Sequence, residues 1–165
     1  MSKYLIDSSC FINAHRVHYP FDVVDSFWAE LLKLAGSRDI YSISKVDKEL
    51  AKGQGLLQKW AATKLPASFF RDESVAAIEY GKIMHWLHHV KRTHYKSDAI
   101  ARFIAADSAD PWLVAYAMKT NYTVVTQEVS APQSKSKVKM PDVCIEFNVK
   151  YINIIDMFRE LSIKF

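Results

Sequence analysis

The sequence predicts a single α/β domain built around a mainly parallel sheet. Three observations carry that reading. Four short apolar runs, 4–6, 40–43, 122–126 and 151–154, lack clean polar alternation, as strands buried on both faces do. Segments with helical periodicity fall between them, and strands that alternate with helices assemble parallel sheets. Polar or acidic residues then follow the first and third runs at their carboxyl ends, where open α/β sheets collect functional groups. The 165 residues suffice for one well-buried domain, 1–165, and are too few for two comfortable ones.

Taken in order, "YLI" (4–6) is the first strand. From Asp22 to Ala35, Val24, Phe27, Trp28, Leu31 and Leu34 recur on one helical face, and Gly36 reads as the stop. "IYSI" (40–43) is the second strand. "SKVDKELAKG" reads as a helix capped by Ser44 and ended near Gly53. The segment from Leu56 to Ala106 carries helical patterns only, which predicts a helical insertion over roughly 56–106. Within it, "DESVAAIEYGKIMHWLHHVKR" is one long helix with acids at its start and bases at its end, the orientation that suits the helix dipole. "SDAIARFIAAD" and "DPWLVAYAMKT" follow, each opening at an aspartate, with Pro111 at the first helical position. "YTVVT" (122–126) is the third strand, "SAPQSKSKVKMP" (130–141) a flexible loop, and "YINI" (151–154) the fourth strand. "IDMFRELSIKF" closes the chain as a helix that then extends.

Composition narrows the function class. Half the residues are hydrophobic and 24% are charged, with 4 glycines and 5 prolines, which argues against disorder and against a turn-rich β-sandwich. No apolar run approaches the ~18 residues that cross a bilayer, and "MSKYLIDSS" lacks a secretory core and cleavage site. Two cysteines, Cys10 and Cys144, make no disulfide framework, so a reducing cytoplasm is expected. The net charge of +4 is concentrated in "KRTHYK" (91–96) and "QSKSKVK" (133–139). Such runs serve either as solvated faces or as phosphate contacts.

Asp7 raises the chemical question. A charge at the end of a buried strand costs free energy unless something pairs with it. Ser8 or Ser9 would cap the next helix without burying a charge. Glu49, in the helix after the second strand, reads alone as a surface residue. Asp110, before Pro111, reads alone as an N-cap, and Asp107 could serve the same entry. Taken together, Asp7, Glu49 and Asp110 place acids at element ends while the interiors stay apolar. Converging carboxylates repel each other unless a divalent cation neutralises them, and an all-oxygen set suits Mg²⁺ or Mn²⁺.

The ordered set "YLIDSS", "SKVDKEL", "ADPWLVAYA" and "YTVVTQE" resembles the PIN domain, the family of metal-dependent ribonucleases that includes the toxins of virulence-associated toxin–antitoxin pairs. The resemblance spans nearly the whole chain. It is nearest to a bacterial PIN-like subfamily with a lysine-rich stretch ending in "KMPDVC" (139–144). It implies a three-layer α/β/α domain with a central, mainly parallel sheet and a helical insertion. It implies a metal-dependent endoribonuclease with Asp7, Glu49 and Asp110 as metal ligands and catalytic acids. The family's fourth position is often an aspartate just after the third strand. This chain has "TQE" there, which leaves Glu128 as a longer-reaching ligand, Thr126 as a hydroxyl that orients water, or Asp142 as a further acid on the rim. Ser9 is expected to hydrogen-bond Asp7 or a water at the metal. Lys91, Arg92, Lys96, Lys135, Lys137 and Lys139 are expected to hold the RNA backbone. A cognate antitoxin, which would place an arginine or a carboxyl-rich segment in the acidic site, and a homodimer through the early apolar helices are the implied partners. The alternative is a PIN-like RNA-binding or protein-binding module that has lost turnover through the "TQE" departure.

Other chemistries fit less well. His85, His88 and His89 share a helical face, with His94 about a turn on, but no cysteine or H-E-x-x-H accompanies them, so a wet basic face is favoured over zinc. "DSSCFIN" has no glycine, which excludes dinucleotide-binding and P-loop turns. No base is identifiable for a Cys10 nucleophile. An aspartyl-phosphate site would need a second aspartate where Ser9 stands.

Overall fold

The computed structural model describes residues 2–165. Five strands form one parallel sheet: β1 (Tyr4–Ile6), β2 (Ile40–Ile43), β3 (Phe70–Arg71), β4 (Thr123–Val125) and β5 (Tyr151–Ile152), in the order β3-β2-β1-β4-β5. Every neighbouring pair is parallel, and the registers include Leu5 beside both Tyr41 and Val124. The expected α/β class and parallel sheet are therefore present. The three inner strands are buried along their whole length, which is why they read as continuous apolar runs.

The chain first builds outward from β1 through β2 to β3, then crosses back to place β4 and β5 on the other side. The order reverses between β1 and β4, and a crevice at the carboxyl ends follows from that reversal. β1 hands over to helix α1 (Ser8–Asn13) at Asp7, and Thr126, the residue after β4, lies beside it. The ladder continues one step past the strands, with Asp7 N donating to Val125 O at 2.9 Å. Helix α7 (Asp110–Thr120) leads into β4, so its N-terminus also faces the carboxyl ends of the strands. Leu113, Val114, Ala115 and Ala117 of α7 are all buried, which fixes that helix as a central element rather than an amphipathic surface one.

The remaining helices are α2 (Asp25–Ser37), α3 (Ser44–Lys52), α4 (Leu56–Lys64), α5 (Ala77–His85), α6 (Ser97–Phe103), α8 (Met140–Glu146) and α9 (Ile154–Glu160). Phe11 of α1, Trp28 of α2 and Trp60 of α4 pack as an aromatic cluster with Phe69, at ring separations of 4.8 Å for Trp28–Trp60 and 6.2 Å for Phe11–Phe69. Phe11 and Phe69 are wholly buried, so this cluster locks α1, and with it the turn after β1.

Several local expectations are corrected. The 56–106 segment is mostly helical but contributes β3, whose two residues are too few to show a periodicity. The long helix there is α5 flanked by a 3₁₀ turn (Glu73–Ala76) and a π turn (Trp86–Val90). Residues 22–24 lie in a turn closed by Val24 N to Pro20 O at 2.9 Å, and α2 runs past Gly36 to stop at Arg38, which takes the left-handed conformation (φ 64°). Ser44 begins α3 without capping it. Its hydroxyl donates to Arg71 O, and its own N–H is satisfied at 3.0 Å by the Glu73 carboxylate, a cap that arrives from 29 residues away. Pro111 is the second residue of α7 rather than the first. Among the described residues no helix is long and apolar enough to cross a membrane.

Candidate metal centre

Asp7 is driven to the end of β1 and is 3% exposed. It stands at the N-cap position of α1 but makes no capping bond to that helix. Its Oδ2 instead accepts from Ser9 Oγ at 2.5 Å and Thr126 Oγ1 at 3.0 Å, while Ser8 Oγ lies 3.4 Å from Oδ1. The two oxygens that hold Asp7 are themselves oriented. Ser9 Oγ accepts from Gln127 N at 3.2 Å, and Thr126 Oγ1 accepts from Glu128 N at 3.1 Å. The turn after β4 is thereby stitched to the turn after β1.

Glu49 reaches the same point from α3. Its Oε2 accepts from Ser8 Oγ at 2.8 Å and its Oε1 accepts from Ala109 N at 3.1 Å, the residue before Asp110. Asp110 opens α7 without capping it, since Ala109 holds the N-cap position and no side chain completes a cap. Its carboxyl is raised to about 8 by burial, then by the charges of Asp7, Glu128 and Glu49. Burial likewise raises Asp7, against the lowering influence of the Ser9 and Thr126 hydroxyls. Glu49 is raised for the same reason, with Ser8 opposing. Four elements thus bring Asp7, Glu49, Asp110 and Glu128 within electrostatic reach of one another.

The polar residues after β4 divide the work. Thr126 is 2% exposed and touches Asp7. Glu128 is held by Lys137 Nζ at 2.9 Å on Oε1 and by Met140 N at 3.0 Å on Oε2, so a lysine already stands at the edge of the acidic cluster. Asp142 is bonded to the loop before α8. Its carboxylate accepts from Ser130 Oγ and, at 3.1 Å, from Ala131 N, closing the loop that precedes α8.

Polar bonds fasten that loop to His94, Lys96 and Arg102. Lys96 N donates to Lys135 O at 2.8 Å, Arg102 Nη2 donates to Ser136 O at 2.6 Å, and His94 Nε2 lies 3.0 Å from Ser134 O. The two basic runs, 91–96 and 133–139, therefore meet on one side of the acidic cluster. Lys91 leans over the Trp86 ring at 5.8 Å, while Arg92 joins His88 in lining a shallow surface depression. Among the described residues, Lys137 is the one of the six expected RNA contacts that pairs with a carboxylate.

The fit to a hard divalent cation rests on the donor set. Every acidic group offers oxygen donors, burial and neighbouring charge disfavour ionisation of Asp7, Glu49 and Asp110, and the Asp110 side chain has no hydrogen-bond partner among the described residues. As the side chains are placed, no three Asp, Glu, His or Cys groups among the described residues are close enough to hold an ion. The Ser8 and Ser9 hydroxyls and the Ala109 N–H hold the Glu49 and Asp7 carboxylates in orientation. The same holds for the histidines: His85 and His89 stack at 4.4 Å and form no zinc set. Cys10 donates to Val125 O at 3.3 Å, and burial pushes its thiol well up, which suits an inert packing role.

Sequence reasoning missed Ser8, which bridges the Asp7 and Glu49 carboxylates. The "DSS" triplet was the available signal, since two hydroxyls beside a buried acid can both serve it. It also missed the backbone donors Ala109 and Met140, which no sequence pattern announces.

No curated protein matches the chain significantly in sequence. Among solved structures, a chain of VapBC2 from Rickettsia felis, crystallised bound to a DNA fragment from their promoter, superposes with a TM-score of 0.52 at 18% identity, covering 91% of this chain and 97% of that one. At that identity the likeness establishes the fold. A family model matches residues 4–165, nearly the whole length, and by that match the chain belongs to the family described as domain of unknown function DUF4411.

Proposed function

We propose that this chain is a Mg²⁺- or Mn²⁺-dependent endoribonuclease of the PIN type, the toxin member of a toxin–antitoxin pair. One observation carries the reading: Asp7, Glu49, Asp110 and Glu128 arrive from four elements at the carboxyl end of the sheet, where burial and mutual repulsion hold Asp110 up to about 8. A fold that gains nothing from such crowding keeps it for a cation. Mg²⁺ or Mn²⁺ there supplies charge neutralisation and Lewis acidity at a phosphodiester. Asp7, Glu49 and Asp110 are its ligands, with Glu128 as the fourth. Ser8, Ser9 and Thr126 fix the carboxylates in orientation. The basic ridge made by the joined 91–96 and 133–139 runs carries the RNA backbone to the site. The likeness to a chain of VapBC2 supports a second protein as partner, and a homodimer in the cytoplasm is the assembly we assign.

The test is cleavage of single-stranded RNA by purified protein in Mn²⁺, abolished by EDTA and by Asp7→Asn. Cutting that persists in EDTA would reject the metal-dependent reading. A second reading, an RNA-binding or protein-binding module without turnover, is favoured by one contact: Lys137 already neutralises Glu128 at 2.9 Å. Tight RNA binding with no cleavage in any divalent ion selects it.

The ridge carries its own prediction. Among the described residues Lys135 and Lys139 pair with no carboxylate, whereas Lys137 does. Each phosphate contact to a single strand contributes about 0.7 to the slope of log affinity against log salt. Lys135→Ala with Lys139→Ala is therefore expected to flatten the slope by about 1.4, and Lys137→Ala by less than either. Binding measured in Ca²⁺ separates this from cleavage. An unchanged slope in the double variant would place the RNA path elsewhere on the surface.

A further inference from the structure

A cleft of about 710 Å³ opens beside the acidic cluster. It runs along the carboxyl ends of β4 and β5 toward α9. Thr126 and Glu128 belong both to its wall and to the acidic cluster, so the cleft begins where the scissile phosphate would sit. Its volume falls within the range of small-ligand sites, about 300–1,000 Å³. Tyr19, Gln127, Tyr151 and Arg159 are among its other lining residues.

Most polar groups around the site are committed, which makes the exceptions informative. Gln127 is placed by its backbone, whose N–H donates to Ser9 Oγ at 3.2 Å, yet its side-chain amide bonds nothing among the described residues. Tyr151 is half-buried on the edge strand β5 and stacks on no other aromatic ring among the described residues. Tyr19, by contrast, already stacks on Phe27 at 4.3 Å. The cleft therefore offers one free aromatic face, on Tyr151 across from Val124 of β4, and one free amide, on Gln127 next to Glu128. Arg159, three-quarters exposed and paired with Asp156, lies at its far end.

Resting on the nuclease reading, we infer that this cleft binds the nucleotide next to the cut, its unstacked base lying on Tyr151 and its edge read by the Gln127 amide, with Arg159 near the following phosphate. An amide presents a donor and an acceptor together, which reads a base edge. Aromatic stacking binds any base, so the ring provides affinity and the amide provides preference. The phosphodiester backbone would then pass from the lysine ridge over the acids and into the cleft. The enzyme would select single-stranded RNA, because a paired base cannot leave its stack to enter.

Two variants test the assignment. Tyr151→Leu keeps an apolar side chain on β5 but removes the ring. In the Asp7→Asn background with Ca²⁺, it is expected to weaken binding of a short single-stranded oligoribonucleotide about 10-fold with an unchanged salt slope, since stacking releases no counterions. Gln127→Ala, in the otherwise wild-type protein with Mn²⁺, is expected to flatten the base preference beside the cut in a randomised RNA pool, while the melting temperature stays level. Binding within two-fold of the parent together with an unchanged base preference overturns the cleft assignment alone and leaves the nuclease intact. A parent protein that neither binds nor cuts RNA overturns both.

Discussion

Asp110→Asn is expected to lower RNA cleavage in Mn²⁺ by at least ~100-fold while the protein remains folded. The change removes one charge and almost no volume. It also cannot act through helix capping, because α7 is entered at Ala109 and the Asp110 side chain completes no cap. Asparagine caps as well as aspartate in any case, so a helix-end role predicts no effect. A ligand role predicts loss of charge stabilisation at the transition state, and 100-fold corresponds to about 2.7 kcal/mol. Asp7→Asn should behave alike, with the added loss of the acceptor shared by Ser9 and Thr126. Single-turnover cleavage of a labelled RNA, with circular dichroism to verify the fold, gives the answer. Wild-type turnover by Asp110→Asn would remove that residue from the site.

How much of this was legible in the sequence differs between sheet and site. The inner strands β1, β2 and β4 were visible because burial on both faces makes them short, apolar and unalternating. β3 was invisible, since Phe70 and Arg71 join the sheet by register with Ser42 and Ile43 rather than by any pattern of their own. The end of α2 was misjudged at Gly36 because the left-handed position fell to Arg38, where a non-glycine residue takes that conformation. Asp7 stood out because an acid at the end of a buried strand is costly, whereas Glu49 and Asp110 read alone as a surface residue and a cap and were singled out only as a set with it. What could not be read is who satisfies them. Ser8 joins Glu49 across 41 residues, Ala109 N–H reaches Glu49 across 60, and Lys137 meets Glu128 through a loop whose fold depends on Lys96 and Arg102. These are long-range bonds with no local signature.

The metal-free protein is expected to lose stability as pH rises from about 4 to about 8, the reverse of ordinary acid denaturation. Burial and the charges of Asp7, Glu128 and Glu49 push the Asp110 carboxyl up to about 8 in the folded chain, against 3.8 for an unperturbed aspartate. Between those values the folded state holds a proton that the unfolded state has released. Stability therefore falls with pH wherever the native state binds more protons, and the contribution is fully present only below the unfolded value. Asp7 and Glu49 are raised by burial too and add with the same sign. The depressed carboxylates Asp72, Asp107 and Glu160 act oppositely, but their contribution is lost only as pH falls below about 4, outside this window. Each unit of displacement is worth about 1.4 kcal/mol, and with the proton shared across the cluster a net loss on the order of 2–4 kcal/mol is expected. For a chain of this size that lowers the melting temperature by roughly 5–15 °C between pH 5 and pH 8 in EDTA. Asp110→Asn should flatten the profile and melt higher than wild type at pH 8. Mn²⁺ should reverse the ranking, because an ion at 100 times its dissociation constant adds about 2.7 kcal/mol to the wild type and little to the variant. A wild-type melting temperature in EDTA that climbs from pH 5 to pH 8, in parallel with the variant, would mean that the acids are not crowded in solution, and the argument for a cation among them would fall with it.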